Sequence, residues 1–182
     1  MEAAPMLEAV LVVVSDRAAA GTRPDTSAAL LRPALAAAGF ALCEVVVVAD
    51  ERPAIAQAIR DGARRAALVL TTGGTGVGPR DVTPEATRDV IELEVPGLGE
   101  EMRRRSVATQ PKALGSRALG GVLGSSVVLN LPGRPEGAVD CLGYVGGVLR
   151  HLCALRGGPV GDASHLPPPP SGTASGLPRA GG

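Results

Sequence analysis

Apolar and polar residues alternate along the chain in blocks of two different periods. Residues 10–14, Val-Leu-Val-Val-Val, are a continuous run rich in β-branched side chains, as a strand buried on both faces requires. Residues 42–48 and 68–72 repeat this pattern, and 42–48 is read as a second buried strand. Between them the period lengthens. Residues 25–38 read as a helix, with Asp25 placed to cap it and Gly39 to stop it. Pro33 inside it removes a hydrogen bond and is expected to kink or divide it. Residues 53–64 form a shorter helix, with Ile55, Ile59 and Ala63 four apart. Thr83-Pro84 reads as a helix start, threonine as the cap and proline at the first helical position. A further helix is expected over 97–107, and two short strands over 122–123 and 126–130.

The last helix spans about residues 136–155, where Ala138, Leu142, Val145, Leu149 and Leu152 recur at helical spacing. Its glycines, Gly143, Gly146 and Gly147, each cost about 1 kcal/mol relative to alanine, and close helix packing is the expected return. The βαβαβ alternation predicts an α/β fold, a three-layer sandwich with a mostly parallel central sheet. Beyond Arg156 the composition changes. From 157 to 182, 16 of 26 residues are Gly, Pro or Ser, including Pro167 to Pro170. Such a stretch buries too little apolar surface to offset its ordering entropy, so the expected division is a domain over 1–156 and a flexible tail over 157–182.

Composition narrows the function. The 182 residues suit one domain, and 18 basic against 18 acidic side chains give no net charge. That balance argues against nucleic acid or an anionic membrane as partner, since both are held by clustered positive charge. The longest uninterrupted apolar run, Ala9 to Val14, is six residues, where a membrane helix needs roughly 20. Glu2 and Glu8 stand where a signal peptide would be basic. Three cysteines (Cys43, Cys141, Cys153) make no CxxC pair, and His151 and His165 are too isolated for a zinc site. A reducing cytoplasm is the expected location.

In open parallel sheets, ligands sit beyond the carboxyl ends of the strands. This chain puts polar residues at each such end: Ser15-Asp16-Arg17, Asp50, then Thr71-Thr72-Gly73-Gly74-Thr75-Gly76 with Arg80-Asp81, and Asn130-Leu131-Pro132-Gly133. The glycine-rich loop lets main-chain N–H groups turn toward an anion, although tight strand-to-helix connection alone also accounts for glycines. It is not a Walker loop, because Pro79 follows Gly78 where lysine belongs, and it lacks the third glycine of the dinucleotide fingerprint. Asp50 and Asp81 fall on different loops at the same edge. Two carboxylates there are able to hold Mg²⁺ against triphosphate oxygens. Each also has a local explanation: Asp50 as cap of the helix near Pro53, Asp81 as an acid at the positive end of the helix opening at Pro84. Asp16 also reads as a turn residue. Arg103, Arg104 and Arg105 spread around a helix and read as a solvated face with one phosphate contact at most.

Thr71-Thr-Gly-Gly-Thr-Gly76 followed by Arg80-Asp-Val-Thr-Pro-Glu-Ala-Thr87 resembles the signature of the molybdenum-cofactor biosynthesis family. That family includes molybdopterin adenylyltransferases of the MogA and MoaB type and the G domain of gephyrin-like proteins. Ser15-Asp-Arg17, Pro96-Gly-Leu-Gly-Glu-Glu-Met-Arg103, Ser116-Arg117 and Asn130-Leu-Pro-Gly133 follow in family order, covering about residues 8–156. The resemblance implies a MogA/MoaB-like fold and transfer of AMP from Mg-ATP to molybdopterin with release of pyrophosphate. It implies Asp50 and Asp81 as catalytic residues holding Mg²⁺. Thr72, Gly73, Gly74, Thr75 and Gly76 would hold the nucleotide phosphates, and Ser15, Asp16, Asn130, Pro132 and Gly133 would line the same pocket. A homotrimer and a molybdenum-insertion protein as partner are implied too. The alternative is a non-catalytic molybdopterin carrier of the MoaB type. Arg134, after Leu-Pro-Gly, and Gly115, before Ser116-Arg117, depart from the family pattern.

Overall fold

A computed structural model describes residues 6–22 and 24–157. The elements in chain order are β1 (Leu7–Val14), α1 (Asp16–Ala19), α2 (Ser27–Ala37), β2 (Phe40–Val48), α3 (Arg52–Ala63), β3 (Leu68–Thr72), α4 (Thr83–Arg88), β4 (Leu93–Glu94), α5 (Pro96–Ser106), a 3₁₀ turn (Pro111–Gly115), β5 (Gly120–Leu123), β6 (Ser126–Leu131) and α6 (Pro135–Leu155). The six strands form one sheet in the order β2-β1-β3-β6-β5-β4. β1, β2, β3 and β6 run parallel; β5 pairs antiparallel with β6, and β4 antiparallel with β5 at the far edge.

The strand period sorts the core into two halves. Leu11 and Val13 of β1 point to one face, where they share a cluster with Leu31 and Leu35 of α2, Met102 of α5 and Leu142 and Leu149 of α6. Val10, Val12 and Val14 point to the other, among Ile55 and Ile59 of α3 and Ala86 of α4. Helices therefore cover both faces and the chain has three layers, as its alternation predicts. Each fully buried Leu or Ile contributes about 2 kcal/mol of transfer free energy.

Several elements differ from expectation for physical reasons. β2 is an edge strand, not a second buried one: Cys43 and Val47 are exposed, and only Phe40 and Leu42 are buried. Its apolar run looks the same in sequence whether one neighbour pairs with it or two. Pro33 does not divide α2, which runs unbroken from Ser27 to Ala37. Asp25 does cap that helix from two residues ahead, accepting the N–H of Ser27 at 2.9 Å and of Ala28 at 3.3 Å. Gly146 gives the close packing expected of it, since a Cβ there would come within 3.0 Å of Ala38 Cβ.

α6, 21 residues long with an 18-residue stretch of mean hydropathy 1.3, is long and apolar enough to cross a membrane by length and composition. The run-length argument missed it because polar residues interrupt it. Its inward residues Ala138, Leu142, Val145 and Leu149 belong to the core. Cys141 and Cys153 also face inward, and burial pushes the Cys153 thiol up to about 12. Gly157 begins the expected tail; the rest of it, with Pro167 to Pro170 and His165, lies outside the described residues.

Candidate functional site

β1 is followed by α2 on one face of the sheet, and its neighbour β3 by α4 on the other, so the two connections diverge above β1 and β3. A crevice opens at such a point beyond the carboxyl ends of the strands. Here it is a cavity of about 400 Å³ lined by Ser15, Asp16, Asp50, Thr72, Gly73 and Gly133, together with Arg17, Asp25, Thr26 and Ser27.

Gly73 lines the crevice and Gly74 follows it in the loop. Gly73 has φ +104°, and a Cβ on it would collide with the Val14 carbonyl oxygen, so only glycine lets the end of β3 approach the end of β1. Gly74, at φ +63°, leaves the space a side chain would occupy to Thr83 Oγ1 and Asp50 Oδ1, the latter 3.3 Å from the site of that absent Cβ. The Asp50 carboxylate thus sits over the glycine loop.

Asp50 is joined to Asp16. The Asp16 N–H donates to Asp50 Oδ2 at 2.8 Å, and the Asp50 N–H donates to Asp16 Oδ1 at 2.9 Å. The reading of Asp50 as cap of α3 fails on this geometry: Glu51 precedes that helix and its side chain makes no cap bond either. Arg80 reaches across from the glycine-loop side, its Nε and Nη2 bonding the Asp16 carboxylate at 2.9–3.0 Å. That guanidinium, with the Asp50 N–H second, holds the Asp16 carboxyl below the usual carboxylate range.

Asp81 lies on the same loop system but is not among the residues lining the crevice. Its Oδ2 accepts the Gly78 N–H at 2.8 Å, and its own N–H donates back to the Gly78 carbonyl at 3.0 Å. A Cβ at Gly76 would lie 2.9 Å from the same Oδ2, so the carboxylate borders the loop from the other end. Thr83, expected as a cap, instead donates its hydroxyl to the Gly73 carbonyl at 2.9 Å and locks α4 to the loop.

The remaining expected residues fall in different places. Thr72 donates its hydroxyl to the Pro132 carbonyl at 2.9 Å, and Gly133 lies against Gly73, so Asn130-Leu-Pro-Gly133 abuts the loop. Thr75 is buried. Asn130 has no exposure and does not line the crevice. Its Nδ2 donates to Thr71 Oγ1 at 2.9 Å and Thr87 Oγ1 at 2.8 Å, and its Oδ1 accepts the Leu119 N–H at 3.4 Å. It pins β6 to β3 and α4 beneath the site.

Sequence reasoning missed the α2 approach. Asp25, Thr26 and Ser27 line the crevice, and the available signal is a cap residue, Asp25, in the connection that leaves the polar end of β1. Arg80 has no individual role in the sequence pattern, because its partner Asp16 is 64 residues away. Of the three arginines of α5, Arg103 bonds the Ala118 carbonyl, while Arg104, exposed to solvent, and Arg105 share Glu101 of the same helix. Those two guanidiniums hold the Glu101 carboxyl down at about 2. Among the described residues, no group of three or more His, Cys, Asp or Glu is placed to hold a metal.

Comparison with known proteins shows the family. Residues 10–151 match the family model described as a probable molybdopterin binding domain. The molybdopterin adenylyltransferase of Haemophilus influenzae is 42% identical over 142 residues, 75% of this chain and 72% of that protein. The Escherichia coli protein of the same name is 40% identical over 137 residues, 72% of this chain and 70% of that protein. The crystal structure of the molybdopterin biosynthesis enzyme MoaB from Thermus thermophilus superposes with a TM-score of 0.78 at 42% identity, covering 83% of this chain and 96% of that one.

Proposed function

The chain belongs to the molybdopterin-binding domain family of molybdenum-cofactor biosynthesis, and on that premise we propose how it works as a molybdopterin adenylyltransferase. It transfers AMP from ATP to molybdopterin, with pyrophosphate leaving. The observation that carries the reading is the Asp50 carboxylate standing over Gly74, at the crevice where β1 and β3 end.

Nucleotidyl transfer asks little covalent chemistry of a protein; it needs alignment of the reacting phosphates and relief of their charge. The main chain of residues 73–76 takes the nucleotide phosphates, and the crevice walls at Ser15, Asp16 and Gly133 take the pterin side. Pro132 and Asn130 act from behind: the Pro132 carbonyl fixes Thr72, and Asn130 fixes Thr71. Catalysis is assigned to Asp50 and Asp81, one at each end of the glycine loop.

A Mg²⁺ ion fits this donor set. Mg²⁺ commonly takes one or two carboxylates and completes its shell with water and substrate phosphate rather than a protein cage. Asp50 has Oδ1 beside Gly74 while Oδ2 is engaged by Asp16, and Asp81 supplies the second carboxylate. When bound, the ion neutralises triphosphate charge and withdraws electrons from the phosphorus under attack. The protein's own part is to hold the two carboxylates apart on separate loops and to keep Asp16 ionised beside Arg80.

The catalytic unit in this reading is the domain over 1–156, with 157–182 dispensable for turnover. Assembly as a homotrimer, a cytoplasmic location and hand-over of product to a molybdenum-insertion protein rest on the family resemblance.

The direct experiment is pyrophosphate release from Mg-ATP by the purified protein, with and without molybdopterin, the pterin product being followed in parallel. Release that requires the pterin, with one adenylylated pterin per pyrophosphate, is the expected result. Pterin binding without release would leave a carrier, and no pterin binding would overturn the reading.

A further inference from the structure

Arg117 stands in the segment leading to β5, outside the crevice lining, yet it makes three contacts to the far limb of the glycine loop and a fourth to α4. Its main-chain N–H donates to the Thr75 carbonyl at 2.8 Å. Its Nε donates to the Gly76 carbonyl at 2.7 Å and its Nη2 to the Asp81 carbonyl at 2.6 Å. Its Nη1 pairs with Glu85 Oε1 on α4. The other Glu85 oxygen, Oε2, is buried with no hydrogen-bond partner among the described residues, so there the carboxylate is held through this one guanidinium.

An anion-binding loop needs its carbonyl dipoles turned away from the anion as much as its N–H groups turned toward it. Carbonyls on the near limb are taken by Thr83, whose hydroxyl and N–H engage Gly73 and Gly74. Those of Thr75, Gly76 and Asp81 are taken by Arg117. The guanidinium thereby clasps both ends of the 76–81 turn that carries Asp81. Its planar fork meets three acceptors in fixed directions, which a lysine ammonium on a flexible stem does not reproduce.

We propose that Arg117, backed by Glu85, is a positioning residue that sets the glycine loop for triphosphate and holds Asp81 in register, without itself touching the reacting atoms. The inference rests on the adenylyltransferase reading and deepens it: Arg117 governs the nucleotide half of the site and leaves the pterin half alone.

The test is Arg117→Lys in the full chain, with Mg-ATP and molybdopterin affinities measured separately by calorimetry and turnover by pyrophosphate release. Mg-ATP binding should weaken about tenfold, equivalent to one lost charge-assisted contact. kcat/KM for ATP should fall about 100-fold, the scale of a misplaced reacting group, with molybdopterin affinity unchanged. Arg117→Ala should regain turnover when millimolar guanidinium is added, which no general loss of structure would do. If that variant does not fold, the lysine variant decides alone. Wild-type affinity and kcat/KM for ATP in Arg117→Lys, or an equal loss for both substrates, overturns this inference only. A wild-type protein that binds no Mg-ATP overturns the adenylyltransferase reading together with it.

Discussion

Asp16 and Asp50 hold each other by crossed bonds, each carboxylate accepting the other's main-chain N–H, at 2.8 and 2.9 Å. The exchange ties the end of β1 to the end of β2. It leaves Asp50 Oδ1 beside the glycine loop and turns the rest of the Asp16 carboxylate toward Arg80. The substitution that separates geometry from charge at Asp50 follows from it. An asparagine oxygen still accepts the Asp16 N–H, but the side chain carries no charge. Asp50→Asn should therefore unfold at close to the wild-type temperature while pterin-dependent turnover falls by about 100-fold or more, the usual scale for losing a charge-stabilising group. A variant with near-normal turnover removes Asp50 from catalysis.

Asp81 poses the same question from the other end of the loop. Its Oδ2 closes the turn on the Gly78 N–H at 2.8 Å, a bond an asparagine oxygen can keep. Asp81→Asn should retain the fold and bind molybdopterin normally, with turnover down by about two orders of magnitude. If its turnover matches wild type, the carboxylate serves the turn and nothing more.

The Asp16–Arg80 pair makes a prediction about pH. Arg80 holds the Asp16 carboxyl below its ordinary value, so the folded form binds its proton less readily than the unfolded chain does. Any stabilisation from the pair is therefore complete above the ordinary carboxylate range and is lost as pH falls through the lowered folded value. The pair is largely exposed and its net worth is small. Its sharper signature is local. In Arg80→Gln the Asp16 titration, followed by carboxyl NMR, should move upward toward the ordinary value, and the acid limb of the pH–rate profile should move with it. An Asp16 titration that stays put would remove Arg80 as the cause.

How much of this was legible beforehand depends on range along the chain. The polar residues closing β1, β2, β3 and β6 announce a site because strand ends are where parallel sheets gather ligands. The glycine loop declares itself by composition. Neither says which side chains meet. Arg80 and Asp16 are 64 residues apart, Arg117 and Asp81 36 apart, and no local period encodes such a pairing. Edge position was equally hidden: Val45 to Val48 reads like Val10 to Val14, although one segment has a single strand neighbour and the other has two. Capping logic misled wherever a ligand-side contact offered the same group a better partner, as at Asp50 and Thr83.

Asn130 marks the difference between lining a site and supporting it. The motif Asn130-Leu-Pro-Gly133 suggests a pocket residue, but Asn130 is fully buried, donating to the hydroxyls of Thr71 and Thr87 while Thr87 donates onward to the Thr83 carbonyl at 2.9 Å. Truncation to alanine removes the partner of two buried hydroxyls and of the Leu119 N–H, and leaves a small void. Each buried group left unpaired costs about 1–3 kcal/mol, and the Thr87 hydroxyl loses less because it keeps its own donation to the Thr83 carbonyl. Asn130→Ala should therefore lower unfolding free energy by about 2–3 kcal/mol in urea titration. Its molybdopterin and Mg-ATP affinities, measured well below the unfolding transition, should change by less than the stability does. A variant as stable as wild type that no longer binds either substrate would reverse the assignment and return Asn130 to the binding surface.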